Sequence, residues 1–327
     1  MEENNAPAAE LTRLEYLRER IDLLEKQIAS VIVGQQRTVD LLLTAILADG
    51  HVLLEGVPGV AKTLLAKLTA RLVDADFSRI QFTPDLMPSD VLGTSVFDMQ
   101  GGKFEFHRGP VFANIVLVDE INRAPAKTQS ALFEVMEERQ ATVDGTTYPM
   151  GMPYIVLATQ NPVEQEGTYK LPEAQLDRFL MKITIDYPSA EEELEILTRH
   201  QQRHDFLKLE AVKPVLSCTE VTELQRMASE TFVDPSLLRY MVQIVQQTRQ
   251  SKAVFLGASP RATVGLLRAS KAYALLQGRD FVTPDDVKFV APYVLQHRVI
   301  LTAEAEMEGW SAVKAVHRLV DKVEVPQ

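Results

Sequence analysis

The stretch that decides the fold is His51-Val52-Leu53-Leu54-Glu55-Gly56-Val57-Pro58-Gly59-Val60-Ala61-Lys62-Thr63. Its first five residues form a short β-type run, and the glycines and proline that follow predict a tight loop. Residues 62–73 then have the periodicity of a helix. A strand at 51–55, a glycine-rich loop and a helix in this order predict the start of an α/β fold.

The loop has the composition of a phosphate-binding site. Backbone N–H groups can curl around a β-phosphate only where glycines permit the turn, and Gly56 and Gly59 supply them. Lys62 supplies a cation for the β and γ oxygens, and Thr63 supplies a hydroxyl ligand for Mg²⁺ at a positive helix end. The expected nucleotide-binding residues of the loop are Gly56, Val57, Pro58, Gly59, Val60, Ala61, Lys62, Thr63 and Leu64.

Ala61 departs from the usual phosphate-loop pattern, which has a second glycine before the lysine. We expect the methyl group to be tolerated if the φ angle at this position is negative. The alternative for the whole loop is a Gly/Pro turn that only caps a buried strand. The order of strand, loop and helix favours phosphate binding over that alternative.

A second apolar run, Ile115-Val116-Leu117-Val118, ends abruptly in the two acids Asp119 and Glu120. A buried parallel strand would place both carboxylates at its C-terminal end, where ligands bind in open α/β sheets. We expect Asp119 to hold Mg²⁺ through water and Glu120 to act as general base for the attacking water. The alternative for the acids taken alone is a helix N-cap on an exposed loop.

Asn161 ends a third strand, in the segment Ala158-Thr159-Gln160-Asn161-Pro162. Its amide would orient the attacking water beside Glu120 if the two strands are neighbours. An Asn-Pro pair by itself is more typical of a turn. The catalytic interpretation of Asn161 therefore depends on the other two motifs.

The remaining pattern predicts three parts. Apolar residues at steps of three and four between 11 and 28 predict an amphipathic helix, and a second helix is expected at 37–48. Alternating β-type and helical segments up to residue 187 predict a mostly parallel sheet with helices on both faces, and an almost wholly helical part follows. The expected parts are 1–30 for the N-terminal helix, 31–188 for the α/β core and 189–327 for a helical lid. The predicted core strands are 51–55, 78–82, 114–119, 154–159 and 179–186, and the predicted core helices are 62–73, 126–139 and 173–178.

Two segments interrupt this alternation. One spans 94–108 and contains Gly101-Gly102, and the other spans 141–150 and contains Asp144-Gly145. Both dipeptides supply the positive φ angles that a two-residue turn needs. The segments are therefore predicted to be β-hairpins that protrude from the sheet domain.

Composition limits the class of protein. The chain has 327 residues, enough for about two domains. It carries 45 acidic and 34 basic residues, a net charge of −11, which argues against tight nonspecific binding to nucleic acid. Cys218 is the single cysteine and no apolar run approaches the roughly 18 residues of a membrane span. With a polar, acidic start, these features predict a cytoplasmic protein without membrane insertion.

Several segments in order along the chain resemble MoxR-type AAA+ ATPases of the helix-2-insert clade. They are Val33-Gly34-Gln35, Glu55 to Thr63, Thr83 to Pro88, Arg108 to Phe112, Asp119 to Ala124, Gln160 to Pro162, Leu171 to Phe179 and Ser259-Pro260-Arg261. The resemblance covers essentially the whole chain from residue 33 and is compatible with the alanine at position 61. It implies an α/β P-loop core with a C-terminal helical lid, and ATP with Mg²⁺ as cofactors.

The resemblance also implies roles that spacing alone does not show. Val33-Gly34-Gln35 matches the segment that closes over adenine. Arg178 matches the arginine finger that is presented to the nucleotide of the adjacent subunit, and Arg261 matches the sensor 2 arginine that reaches the γ-phosphate from the lid. A local ion pair of Arg178 with Asp177 or Glu173 is the alternative. A shared finger implies a homo-oligomeric ring, expected to be a hexamer.

The implied function is ATP hydrolysis coupled to remodelling or assembly of a protein client. Relatives commonly work with proteins that carry von Willebrand A domains, and their hairpins face the pore or the client. Phe104 and Phe106 in the first hairpin either engage a polypeptide or pack the hairpin onto its own domain. The alternatives are a nucleic-acid-stimulated motor and a metal-chelatase-type ATPase subunit; the acidic charge favours a protein client over nucleic acid.

Overall fold

The computed structural model describes residues 6–57, 59–161, 169–202, 209 and 212–326, and it describes side chains in the first helix at residues 15, 16 and from 18 onward. The predicted loop residue Pro58 lies outside the described residues, as do Pro162 and the side chains of Leu11, Leu14 and Leu17. Within the described part of the chain, every helix is too short or too polar to span a bilayer.

Strands and helices alternate through the first part of the chain, and helices dominate the second. The strands are β1 Val52–Gly56, β2 Phe77–Gln81, β3 Gly93–Asp98, β4 Lys103–Arg108, β5 Ile115–Asp119, β6 Gln140–Val143, β7 Thr146–Pro149, β8 Ile155–Gln160, β9 Met181–Ile185, β10 Val254–Leu256 and β11 Ile300–Leu301. The α-helices are α1 Ala6–Val31, α2 Gln36–Leu47, α3 Lys62–Leu72, α4 Pro88–Leu92, α5 Ala126–Glu138, α6 Glu173–Leu176, α7 Ala190–Gln202, α8 Cys218–Glu230, α9 Pro235–Gln250, α10 Pro260–Leu276, α11 Pro284–Leu295, α12 Ala303–Met307 and α13 Ala312–Asp321.

Five strands form the central parallel sheet, in the order β2-β5-β8-β1-β9. Each predicted core strand is present within two residues of its expected bounds. Because all five strands run in the same direction, their carboxyl ends meet at one edge of the sheet, here called the carboxyl edge. Their amino ends meet at the opposite edge, here called the amino edge.

Helices cover both faces of this sheet. All five residues of β5 are buried, and its side chains alternate between two hydrophobic clusters. Ile115 and Leu117 join the cluster formed with α2, α3 and the helical lid, and Val116 and Val118 join the cluster formed with α5. Burial on both faces explains why the strand is continuously apolar until Asp119.

The two hairpins are present, but their turns differ. In the pair of β6 and β7, Asp144 (φ 51°) and Gly145 (φ 78°) form the predicted two-residue turn. The two-residue turn predicted for Gly101-Gly102 is wrong, because Asp98 pairs with Lys103 and four residues connect the strands. The Asp98 carboxylate accepts two N–H groups of this turn at 2.8–2.9 Å, which stabilises the longer connection.

The two alternating phenylalanines of the first hairpin have different surroundings. Phe106 stacks on Tyr148 of the second hairpin, with ring centroids 4.2 Å apart, and makes an edge contact with Phe112. Phe104 is 72% exposed and contacts the ring of Phe97 on the paired strand. Phe106 therefore packs the hairpin onto its own domain, whereas Phe104 is available on the surface.

Polar side chains cap the starts of three helices in the helical part. Side chains of Asp234, Ser259 and Thr283 accept the first free N–H groups of α9, α10 and α11. The prediction of an almost wholly helical part missed the antiparallel pair of β10 and β11. These strands have three and two residues, which is too short for the alternation that marks a strand in sequence.

Candidate active site

The phosphate loop lies at the carboxyl edge, between the end of β1 and the start of α3. At Gly56 a Cβ atom would lie 2.6 Å from the carbonyl oxygen of Ile185, so glycine is needed for β1 to pack against the end of β9. Gly59 adopts a φ of 88°, which also favours glycine. The Lys62 ammonium donates to the Gly56 carbonyl at 2.7 Å and thereby closes the loop.

Ala61 precedes α3 with φ 59° and ψ 20°, in the left-handed region. The condition under which the methyl group was expected to be tolerated, a negative φ, is therefore not met. A non-glycine residue in this conformation brings Cβ close to the following carbonyl oxygen, at a cost of roughly 1–2 kcal/mol. The loop thus keeps the curl of a glycine-containing phosphate loop with an alanine under strain.

Lys62 is half-buried among carboxylates. Burial lowers the pKa of Lys62, and the negative charges of Asp119, Glu120 and Glu55 oppose that shift. Glu55 itself pairs with the Lys182 ammonium at 2.8 Å. The acids of the site therefore favour the protonated lysine, the form that attracts phosphate oxygens.

Asp119 and Glu120 are held by a threonine that sequence reasoning missed. Asp119 is the last residue of β5 and is 7% exposed. The Thr159 hydroxyl on β8 donates to Asp119 Oδ1 at 3.1 Å and accepts the Glu120 N–H at 3.0 Å. The sequence signal that could have identified Thr159 is a polar residue near the end of an apolar strand, two positions before Asn161.

Asp119 has a second partner that the sequence does not indicate. The Arg79 Nε atom on β2 donates to Asp119 Oδ2 at 2.6 Å. Arg79 is half-exposed on the neighbouring edge strand, so only the strand order brings the two side chains together. Both oxygens of the buried carboxylate are thus hydrogen-bonded.

Glu120 adopts left-handed angles (φ 57°, ψ 51°) and precedes a short 3₁₀ turn at 121–123. Its side chain makes no capping hydrogen bond to that turn, contrary to the N-cap alternative. Instead, Glu120 Oε2 accepts from Arg123 Nε at 2.9 Å. The carboxylate is therefore directed by an ion pair rather than used as a helix cap.

Asn161 directly follows β8, which lies between β5 and β1 in the sheet. The strands that carry Glu120 and Asn161 are thus neighbours, as the sequence argument required. Along the carboxyl edge, Asn161 lies between Asp119 and Glu120, here called the acid pair, and the phosphate loop. The structure brings these three motifs, distant in sequence, to one edge.

A cavity of about 350 Å³ lies beside the predicted adenine segment. Gly34 (φ 67°) and Gln35 (φ 58°) are both left-handed and turn the chain sharply between α1 and α2. Gln35 lines the cavity together with Tyr187 and with Tyr293 of the lid. The Gln35 Oε1 atom is buried and accepts no hydrogen bond from any described residue. Val33, two residues before Gln35, is also buried.

Arg178 and Arg261, here called the arginine pair, meet at one carboxylate. Arg178 Nη1 donates to the Phe133 carbonyl at 3.1 Å and to Glu137 Oε2 at 3.2 Å. Arg261, in the first turn of α10, donates from Nη2 to Glu137 Oε1 at 2.8 Å. The alternative ion pairs of Arg178 with Asp177 or Glu173 are wrong, because Glu137 is its acidic partner.

Asp177 instead ties the lid to the α/β core. Its Oδ1 atom accepts from Arg298 Nε at 2.7 Å, and its Oδ2 atom accepts from the Ser259 hydroxyl at 2.8 Å. Arg298 is only 4% exposed, and burial lowers its pKa while Asp177 opposes that shift. Because Ser259 caps the helix that carries Arg261, this network fixes the lid arginine relative to the core.

The arginine pair lies at the amino edge, far from the phosphate loop of the same chain. Both arginines line a cavity of about 380 Å³ with Gly50 and His51, which precede β1. The Leu180 N–H bonds to the His51 carbonyl at 2.9 Å, which places Arg178 just before the paired strand starts. The five residues of β1 separate the two edges by about 16 Å.

Comparison with known proteins agrees with this architecture. Residues 51–181 match the family described as "ATPase family associated with various cellular activities (AAA)", and residues 246–319 match the family described as "AAA lid domain". A crystal structure of a protein from Cytophaga hutchinsonii superposes with a TM-score of 0.90 and 43% identity, covering 98% of this chain and 99% of the other.

Relatives at high identity span nearly the whole chain. The uncharacterized protein YeaC of Bacillus subtilis is 50% identical over 92% of this chain and 93% of its own length. Chaperone MoxR1 of Mycobacterium tuberculosis is 47% identical over 92% of this chain and 81% of its own, and Protein MoxR of Paracoccus denitrificans is 32% identical over 89% and 92%. These relatives do not favour the nucleic-acid motor or the metal-chelatase subunit. With its phosphate loop, acid pair and helical lid, the chain belongs to the MoxR-type AAA+ ATPases and hydrolyses ATP.

Proposed function

We propose that the chain works as a hexameric ring in which Mg-ATP hydrolysis drives the remodelling or assembly of a protein client. The observation that carries the proposal is the division of charge between the two edges of the sheet. The carboxyl edge holds the phosphate loop and the acid pair, and the amino edge holds the arginine pair. A second copy, placed with its amino edge against the first copy's carboxyl edge, would complete the site.

At the carboxyl edge, Lys62 and the N–H groups of the loop would bind the β- and γ-phosphates of ATP. Thr63 and Asp119 would hold Mg²⁺, because a hydroxyl and a carboxylate oxygen are ligands that this hard cation prefers. When bound, the ion supplies positive charge against the phosphate oxygens. The described residues contain no cluster of three or more His, Cys, Asp or Glu that could hold a metal. That suits an ion that takes part of its coordination from phosphate and water.

Glu120 would accept a proton from the attacking water, and Asn161 would orient that water through its amide. The hydrogen bond from the Glu120 N–H to Thr159 and the ion pair with Arg123 support a defined position for the Glu120 carboxylate. Asn161 directly follows β8, the strand next to the one that precedes Glu120. The pair would therefore act on a water placed over the phosphate loop.

Gln35 would contribute to binding of the adenine ring. Gln35 lines the 350 Å³ cavity, and its buried Oε1 atom lacks a hydrogen-bond donor among the described residues. The exocyclic amino group of adenine is a donor that would satisfy it. Val33 and Gly34 would close the cavity from the same segment.

The arginine pair would act on ATP bound to the neighbouring copy. An arginine side chain at the amino edge does not span the roughly 16 Å to its own phosphate loop. Both Arg178 and Arg261 would therefore neutralise charge on the neighbour's γ-phosphoryl group as it develops in the transition state. This shared site supports assembly into a closed ring, and we propose six copies by resemblance.

The client is proposed to be a protein, and proteins with von Willebrand A domains are the proposed partners. The relative named Chaperone MoxR1 supports a protein client. The exposed Phe104 side chain at the tip of the first hairpin supports a surface that contacts polypeptide. A cytoplasmic place of action is proposed from the composition, with its single cysteine.

The test compares two variants of the carboxyl edge. Glu120→Gln removes the general base and should bind ATP with unchanged affinity while turnover falls about 10²- to 10⁴-fold. Lys62→Ala removes the phosphate cation and should bind ATP poorly. Fluorescent ATP binding and steady-state phosphate release measure the two effects. A wild-type ATPase rate in the Glu120→Gln protein would contradict the assigned mechanism.

A further inference from the structure

Glu137, the second-last residue of α5, joins arginines from two distant parts of the chain. Its Oε2 atom accepts from Arg178, 41 positions away in the core, and its Oε1 atom accepts from Arg261, 124 positions away in the lid. Each carboxylate oxygen thus serves one arginine. A single side chain thus contacts both members of the arginine pair.

The charges around Glu137 make it the specific partner of the arginine pair. The arginines that line the cavity are Arg139, Arg178, Arg261, Arg268 and Arg298, and the acids are Asp49, Glu137 and Asp177. Asp49 pairs with Arg139 and Asp177 pairs with Arg298. Among the described residues that line this cavity, Glu137 is therefore the acid that neutralises the arginine pair. Without it, two guanidinium groups would face each other among three more cations.

The exposure of these side chains shows what the contacts contribute. Glu137 is 39% exposed, Arg178 30% and Arg261 53%. Ion pairs at such exposure contribute little to the stability of a fold, because water and salt screen them. A long arginine side chain has many rotamers, however, and a shared partner selects among them. The main consequence of Glu137 is therefore geometric.

We propose that Glu137 is a positioning residue for hydrolysis, which holds the arginine pair at one separation so that both guanidinium groups reach the neighbouring copy's ATP together. The proposal rests on the proposed function, since it requires the shared site. Glu137 does not itself contact the nucleotide in this arrangement. It acts through Arg178 and Arg261.

The first experiment measures kcat and ATP affinity of Glu137→Ala and Glu137→Gln. We expect kcat to fall between about 10- and 100-fold in Glu137→Ala, because displaced catalytic groups lose rate steeply with distance. The affinity for ATP should not change, since the chain's own phosphate loop lies at the other edge. Glu137→Gln keeps one acceptor oxygen but turns an amide N–H₂ group toward one arginine, so it should also lose rate. It also serves as the measured variant if Glu137→Ala does not fold.

The matched control is Glu138→Gln. Glu138 is the next residue of the same helix, is exposed and makes no ion pair with any described residue. The substitution changes the net charge by the same amount as Glu137→Gln. Its kcat should stay within about twofold of the wild-type value.

Two further measurements separate positioning from a structural role. In a chain that already carries Arg178→Ala and Arg261→Ala, adding Glu137→Ala should not lower kcat further, because Glu137 acts only through those residues. Mixing Glu137→Ala chains with Glu120→Gln chains should restore turnover. In mixed rings the intact acid pair of the first meets the correctly held arginines of the second.

The outcomes distinguish this proposal from the proposed function. If Arg178→Ala loses hydrolysis but Glu137→Ala keeps the wild-type kcat, the role of Glu137 is wrong and the shared site stands. If Arg178→Ala hydrolyses ATP at the full rate, the shared site and the role of Glu137 both fall. A rate loss in Glu137→Ala that persists equally in the arginine-free chain, or that mixing does not restore, also overturns the positioning role.

Discussion

The two edges of the sheet are built in different ways. At the carboxyl edge, Asp119 ends β5, Asn161 directly follows β8, and Lys62 begins the helix after the loop that leaves β1, so the backbone brings all three to one edge. At the amino edge, the arginine pair comes from a short connection and from the lid, and side-chain contacts with Glu137 bring it together. The first edge is ordered by backbone topology, and the second is ordered by charge.

Under the proposed function, this difference explains why a second copy is needed to complete the site. In that proposal, one edge would supply the cation, the ion ligands and the base for hydrolysis of a triphosphate, and the other edge would supply the cations that stabilise the transition state. The length of the strands keeps the halves apart within one chain. Contact between edges of different copies would then assemble the site and make hydrolysis depend on assembly.

The largest expected effect comes from breaking the amino edge alone. Arg178→Ala should bind ATP normally and lose about 10³-fold or more in turnover, the usual contribution of an arginine finger. Mixing it with Glu120→Gln should restore part of the rate, because each variant supplies the edge that the other lacks. Steady-state phosphate release from single proteins and from mixtures measures both effects.

The corresponding control is a mixture of Arg178→Ala with wild-type chains at the same total concentration, which corrects for dilution of active sites. Hydrolysis at the full rate by a strictly monomeric preparation, verified by light scattering, would contradict the division into two edges. The division would also be contradicted if a mixture of Arg178→Ala and Glu120→Gln chains hydrolysed ATP no faster than the mean rate of the two separate proteins.

The sequence predicted the carboxyl edge well because its signals are local. In the segments that lead to Asp119 and to Lys62, an apolar strand is followed by polar or charged side chains. Parallel pairing of the strands then places these side chains at one edge of the sheet. The hairpin with Asp144-Gly145 was equally local, and its turn was predicted correctly. The turn at Gly101-Gly102 was not, because the Asp98 carboxylate stabilises a longer connection that glycine content alone does not indicate.

The amino edge could not be predicted in the same way. Arg178 and Arg261 were identified only through the family resemblance, and nothing in the spacing of Glu137 connects it to either residue. Thr159 and Arg79 were missed because each contacts Asp119 across strands whose order is known only from the fold. Contacts between elements distant in sequence depend on packing geometry, which cannot be predicted from the local patterns of a single sequence.

A smaller effect is expected at the threonine that orders the carboxyl edge. Thr159→Val leaves Asp119 Oδ1 without its donor and the Glu120 N–H without its acceptor, and an unsatisfied buried group costs about 1–3 kcal/mol. If that cost appears in the transition state, turnover falls by about 5- to 160-fold. The concentration of Mg²⁺ for half-maximal activity should rise, since Asp119 is proposed to hold the ion.

Thr159→Ser is the control, because it keeps the hydroxyl and removes only a methyl group. Its turnover should be close to that of the wild-type protein, and mixtures with Arg178→Ala should respond as the wild-type chain does. If Thr159→Val and Thr159→Ser lose the same activity, packing around the strand matters rather than the hydroxyl, and the assigned ordering of the acids is wrong.

The smallest expected effect is on stability, at the strained alanine of the phosphate loop. Ala61→Gly should raise the free energy of unfolding by about 0.5–1 kcal/mol, because it relieves roughly 1–2 kcal/mol of left-handed strain and loses part of that to the greater freedom of glycine in the unfolded chain. The control is Ala131→Gly, in the interior of α5, where the backbone is helical and unstrained. This substitution should lower the free energy of unfolding by about 1 kcal/mol. Urea denaturation of both variants, followed by helical circular dichroism, gives opposite shifts of the midpoint if the strain at Ala61 is real. Equal destabilisation by the two glycine substitutions would mean that the loop does not hold residue 61 in the left-handed region in solution. The backbone would then order the carboxyl edge less strictly than the contrast with the amino edge requires.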